Sequence, residues 1–150
     1  MIRHALILLL AAGCVSASAT AQTMSGALPT VVPSEKLADW WVMVNDSLQA
    51  EVPNFGRNIQ TPGCATVSFV IEPDGRTSTI KLQKVAPEGD LGRIAMSVAA
   101  NLRFAPTAFN AAHQRVFSWL IFPFNLPVEK AAATAVMQQC YVKDLSWKDH

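Results

Sequence analysis

The chain has 150 residues, 51% hydrophobic and only 15% charged, with 12 Lys and Arg against 11 Asp and Glu. That length suits one domain, and the composition is that of a globular chain and excludes a disordered one. A near-neutral chain with no basic stripe argues against nucleic acid as its partner.

The first 22 residues carry the layout of a secretory signal peptide. Met1-Ile-Arg-His is a short basic start, Ala5 to Ala12 is an unbroken apolar run, and Ala19-Thr20-Ala21 has the small-x-small form of a cleavage site. The run is too short for a bilayer, which needs about 20 residues. Cleavage before Gln22 removes residues 1–21 and, of the charges, Arg3 alone, so 12 basic residues become 11 against 11 acidic. Leu10-Ala-Ala-Gly-Cys14 is the competing signal, since it resembles a lipoprotein site at which Cys14 would become a lipid-anchored first residue. Export predicts a disulfide between the two remaining cysteines, Cys64 and Cys140, worth up to about 4 kcal/mol through loop-closure entropy.

Residues 22–52 read as a lead-in followed by an amphipathic helix. Gln22 to Pro33 is small, polar and punctuated by proline, hence exposed. Ser34 can cap a helix on which Leu37, Trp40, Trp41, Val44 and Leu48 share one face, ending near Glu51 before Pro53. The adjacent tryptophans read as core anchors. Val52 to Gly63 is loop.

Residues 53–126 hold the clearest pattern. Val67, Phe69 and Ile71 alternate with Thr66, Ser68 and Val70 as a half-buried strand. Glu72-Pro-Asp-Gly75-Arg is a tight turn, because proline presets φ and Asp-Gly tolerates φ > 0. Thr77 to Val85 then alternates with Ile80 and Leu82 inward, completing a β-hairpin. Asp90 caps a helix with Leu91, Ile94, Ala95, Val98 and Leu102 on one face, closed by Arg103-Phe104-Ala-Pro106. Asn110 to Gln114 turns, and Arg115 to Phe122 is a third strand, apolar on both faces. Residues 127–150 supply a last helix over Val128 to Gln139, beginning at Pro127, and a tail with Tyr141 and Trp147.

Catalytic patterns do not emerge. His4 falls in the signal peptide, His113 in a turn and His150 at the terminus, and none has metal-ligand spacing. Glu72 and Asp74 are explained by the turn, no serine sits in a glycine-flanked elbow, and no glycine-rich phosphate loop exists. The expectation is a non-enzyme with no cofactor, no metal and no small-molecule substrate.

Val67-x-Phe69-x-Ile71-x-Pro73-Asp74-Gly75-Arg76, Ala95-x-x-Val98 with Arg103-Phe104-x-Pro106, and Val116 to Phe122 followed by Phe124-x-Leu126 occur in order. Together these motifs resemble the TonB carboxy-terminal domain over residues 53–126. The family's proline-tyrosine-proline segment is reduced here to Pro53-Asn54-Phe55, Leu102 stands where tryptophan is usual, and the loop at Asn110-Ala111-Ala112 lacks the customary glycine. The long membrane helix and extended proline-rich spacer of the family's energy transducers have no visible counterpart. The resemblance implies a small antiparallel sheet with helices on one face that docks a partner peptide at its edge by strand addition.

The expected architecture is therefore α+β: helix, hairpin, helix, strand, helix, with a three-stranded antiparallel sheet. The expected function is a periplasmic, non-catalytic TonB-like module binding a protein partner, such as an outer-membrane receptor or another envelope protein, in a role linked to outer-membrane transport. Val116, Phe117, Ser118, Trp119 and Leu120 are the candidate partner-binding edge. The rival expectation is a structural or lipid-anchored envelope protein whose sheet edge is blocked.

Overall fold

The computed structural model describes residues 27–56 and 59–149, so the predicted signal peptide, its cleavage site and Cys14 lie outside the described residues. In chain order the elements are β1 (Thr30–Val31), a 3-10 turn at Ser34–Lys36, α1 (Leu37–Trp40), β2 (Trp41–Met43), a second 3-10 turn at Pro53–Gly56, and β3 (Gly63–Ile71). Then come β4 (Thr77–Ala86), α2 (Leu91–Asn101), β5 (Phe104–Pro106), β6 (Val116–Phe124) and α3 (Lys130–Gln139). Four strands form one sheet in the order β1-β6-β3-β4, and β2 pairs with β5 in a second sheet. The class is α+β. The expected three-stranded antiparallel sheet is corrected: β3 pairs antiparallel with β4 and β6, but β1 joins β6 in parallel. Thr30-Val31-Val32 is a run of β-branched residues between Pro29 and Pro33, and such residues pack well on a pleated surface. The lead-in expected to be exposed therefore has Pro29 and Val32 buried.

The hairpin forms where its turn chemistry placed it. Gly75 N–H donates to the Glu72 carbonyl at 2.8 Å, and Glu72 N–H donates to the Arg76 carbonyl at 2.8 Å. Gly75 holds φ at 78°, and a Cβ there would meet the Phe104 carbonyl oxygen at 2.0 Å, so glycine is required twice over. β3 was expected to be half-buried, yet all nine of its residues are buried. Two layers account for this. α2 lays Leu91, Ile94, Ala95, Val98 and Ala99 on the face carrying Ala65, Val67, Phe69 and Ile71. On the other face, Leu145 and Trp147 of the tail pack against Val70, Phe117 and Trp119, and α3 is tied on at Cys140.

Two helices differ from expectation. The amphipathic helix predicted to reach Glu51 stops at Trp40: Trp41 is extended at φ −140° and ψ 132°. Trp41-Val42-Met43 favours strand, and the chain after α2 offers a ladder, with Val44 N–H donating to Arg103 and Thr107 N–H donating to Trp40. Trp41 is fully buried, as a core anchor should be, whereas Val44 and Leu48 are exposed. The last helix starts at Lys130 rather than Pro127. Glu129 is its cap, its carboxylate accepting from the backbone N–H of Ala131 and Ala132 at 2.9 and 2.6 Å. Asp90 precedes α2 without capping it; its carboxylate accepts from Asn54 Nδ2 at 2.6 Å and Arg93 at 3.2 Å.

Candidate functional site

β6 is the strand whose surroundings decide what this fold can bind. Its residues pair in unbroken register with β3, from Val116 opposite Ile71 to Phe124 opposite Gly63. Val116, Ser118, Leu120, Phe122 and Phe124 share the α2 face, and Phe117, Trp119, Ile121 and Pro123 share the other. Both faces are covered by the chain itself. Phe117 lies 6.2 Å from Trp119 and 5.7 Å from Trp147, centroid to centroid. The two-sided apolar pattern of this strand thus reflects two packed layers.

Backbone direction is the second half of the geometry. Successive residues of a strand turn their N–H and C=O to opposite edges. The carbonyls of Arg115 and Phe117 accept from Thr30 and Val32 at 3.0 and 2.9 Å, so odd-numbered residues face outward. Val116, Ser118 and Leu120 accordingly face β3. Of the five residues predicted to form the partner edge, three turn their backbone inward and Phe117 is already engaged by residues 30–32. The expectation of a backbone edge open along its length is corrected in that half, because the chain's own lead-in fills it. Trp119 begins the remaining half, followed by Ile121 and Pro123. Among the described residues no other strand pairs with this stretch. Pro123 has no N–H, which blunts the far end.

The opposite edge of the sheet is less regular. β4 has Gln83 skipped between the pairs Thr66–Lys84 and Val67–Leu82, and both Thr79 and Ile80 stand opposite Phe69. Thr79 takes φ 48° at that second bulge. Bulges and the side chains of Lys81 and Lys84 interrupt a ladder there.

The outward half of β6 is fixed at its start by an ion pair. Arg115 Nε and Nη2 donate to Glu72 at 2.7 and 3.0 Å, and Arg115 Nη1 donates to the Ala27 carbonyl at 3.2 Å. The Arg115 hydrogen bond is the largest cause holding the Glu72 carboxyl below its ordinary range, with help from Ser78; the same bond raises Arg115. Beside β1 lies an open groove of about 550 Å³ lined by Val31, Pro33, Lys36, Trp40 and Phe109. Trp40 meets Phe109 edge-on at 5.0 Å.

The other candidate residues are placed as follows. Cys64 and Cys140 are bonded, with sulfurs 2.03 Å apart and both residues buried. His113 sits in its turn with Nδ1 3.1 Å from the Pro73 carbonyl, and Asp74 accepts from Arg76 N–H at 3.0 Å. Among the described residues no cluster of three His, Cys, Asp or Glu could hold a metal ion. Sequence reasoning missed residues 30–32, β2 and β5; the triple Thr30-Val31-Val32 was the available signal for the first.

No family model and no curated protein matches this chain. Among solved structures it is similar to the TonB carboxy-terminal domain of Pseudomonas aeruginosa, determined by solution NMR, at 20% identity and a TM-score of 0.46, over 60% of this chain and 90% of that one.

Proposed function

We propose that this chain is a non-catalytic, extracytoplasmic protein-binding module that takes an extended segment of a partner as an added strand on the outer edge of β6, from Trp119 to Pro123. One observation carries the reading: Trp119 and Ile121 turn their backbone groups outward from a strand whose inner edge is paired along its whole length with β3. An added strand gains one donor and one acceptor from each, and an acceptor alone from Pro123. The disulfide supports an oxidising compartment, which fits the secretory layout of the amino terminus. The ordered motifs of residues 53–126 support the same class of partner, an outer-membrane receptor or other envelope protein.

A second reading has its own observation. Residues 30–32 already cover part of the edge, and Pro123 withholds a donor at its end, as in a structural envelope protein that binds no strand. The two separate in cells. A photoreactive benzoylphenylalanine in place of Pro123, which is exposed, should give an adduct of discrete mass, and I121P in the same chain should abolish it while leaving the fold intact. Absence of an adduct, or one indifferent to I121P, favours the closed-edge reading.

A further inference from the structure

We propose that residues 27–32 are a built-in stand-in for the partner: an uncharged, proline-flanked strand that holds the β6 edge in the free protein and is displaced by a segment of like chemistry entering in the same direction. The inference rests on the strand-addition reading and adds to it the partner's orientation, its apolar β-branched character and competition from the chain itself.

The segment Ala27-Leu-Pro-Thr-Val-Val-Pro33 contains no charged residue. It lies parallel to β6, with Thr30 opposite Val116 and Val31 opposite Phe117. Its hold is slight beside the nine-pair ladder on the other side of β6. Besides the ladder of the Thr30–Val116 and Val31–Phe117 pairs, it is held by two backbone donations, from Thr30 and Val32, and the reach of Arg115 to the Ala27 carbonyl. Leu28 is 75% exposed, and Val31 is exposed as well. Pro29 and Val32 are the exceptions: both are buried, and Val32, 3% exposed, packs in the core with Leu37, Trp41 and Val116.

Two consequences follow. Continuing the register brings Pro33 opposite Trp119, but there the chain leaves β6 for the 3-10 turn at Ser34–Lys36, with Lys36 N–H donating to the Pro33 carbonyl at 2.9 Å, so the strap ends where the free half of the edge begins. A partner confined to Trp119–Pro123 finds two backbone donors. One that runs along the whole edge finds more but must first expel the strap, and it must then refill the Val32 position with a side chain of similar shape. Being tethered, the strap competes at an effective concentration on the order of millimolar, which lowers the apparent affinity of any rival.

The test uses the full chain and a blocked synthetic peptide of residues 27–33. The peptide should bind a T30P chain, which lacks the Thr30 donor, at least about tenfold more tightly than the wild type. The same peptide carrying V32D should bind neither. On the wild-type chain, saturating peptide should speed amide exchange at Thr30 and Val32, a measurement that stands even should T30P fail to fold. Equal affinity for both chains, or peptide binding that leaves those two amides as protected as before, overturns the proposal. If the peptide fails while the adduct at residue 123 still depends on Ile121, strand addition stands and the stand-in alone is refuted.

Discussion

Proline substitutions at Ser118 and Ile121, three residues apart on β6, should have opposite consequences. Ser118 faces Phe69 in a hydrogen-bonded pair, and both residues are fully buried. Proline there deletes the Ser118 N–H, strands the Phe69 carbonyl at a cost of about 1–3 kcal/mol, and forces a ring into a closed ladder. The sum is about 3 kcal/mol or more, a figure in line with proline inside other regular elements. Ile121 turns its N–H outward to no described strand, so proline there removes no ladder bond. It loses part of a half-buried side chain, about 1 kcal/mol. For a domain of this size each kcal/mol moves the melting temperature by about 4 °C. S118P should therefore melt at least about 12 °C below the wild type, and I121P within about 4 °C of it. Thermal unfolding followed by circular dichroism reads both. Equal losses would mean that the alternation along β6 is misassigned and that Ile121 is not at a free edge.

Three further outcomes are expected. Replacing Cys64 and Cys140 together by alanine should cost about 4 kcal/mol, because the bond closes a loop of 76 positions; urea unfolding that shows under about 1 kcal/mol would contradict the entropic account. Glu72 has its folded pKa depressed, so its contribution is present above its ordinary value of 4.5 and is lost as pH falls through the lower folded value. E72Q should cost about 1 kcal/mol at neutral pH and flatten the acid limb of melting temperature against pH, and an unchanged limb would assign acid loss elsewhere. The Ser118 hydroxyl is buried without a hydrogen-bond partner among the described residues, so S118A should be neutral or stabilising by up to about 1 kcal/mol in the same urea assay.

The hairpin and α2 were legible because each is decided locally. Asp74-Gly75 specifies the turn, and the three- and four-residue steps from Leu91 to Leu102 specify the buried face, whatever the rest of the chain does. The disulfide was legible from the cysteine count once the amino terminus is read as a signal peptide. The helix through Trp41, Val44 and Leu48 matched the same kind of spacing but is overridden by a ladder with Phe104–Pro106, a partner that only tertiary structure brings near. β1 is two residues long and pairs with a strand far along the chain, so no local pattern marks it beyond its β-branched composition.

The site itself lies just past what a strand pattern can say. Period-two alternation sorts the side chains of β6 into two faces, and both being apolar is compatible with either buried layers or an exposed stripe. It says nothing about which residues point their backbone toward β3 and which toward the edge, because that depends on where Phe69 falls in register and on what pairs outside. Moving the register by one residue would put Ser118 and Leu120 on the outer edge instead of Trp119 and Ile121. The bonds from Thr30 and Val32 to the carbonyls of Arg115 and Phe117 remove that ambiguity. The same lead-in that closes half of the edge thus identifies which backbone groups remain for a partner in the other half.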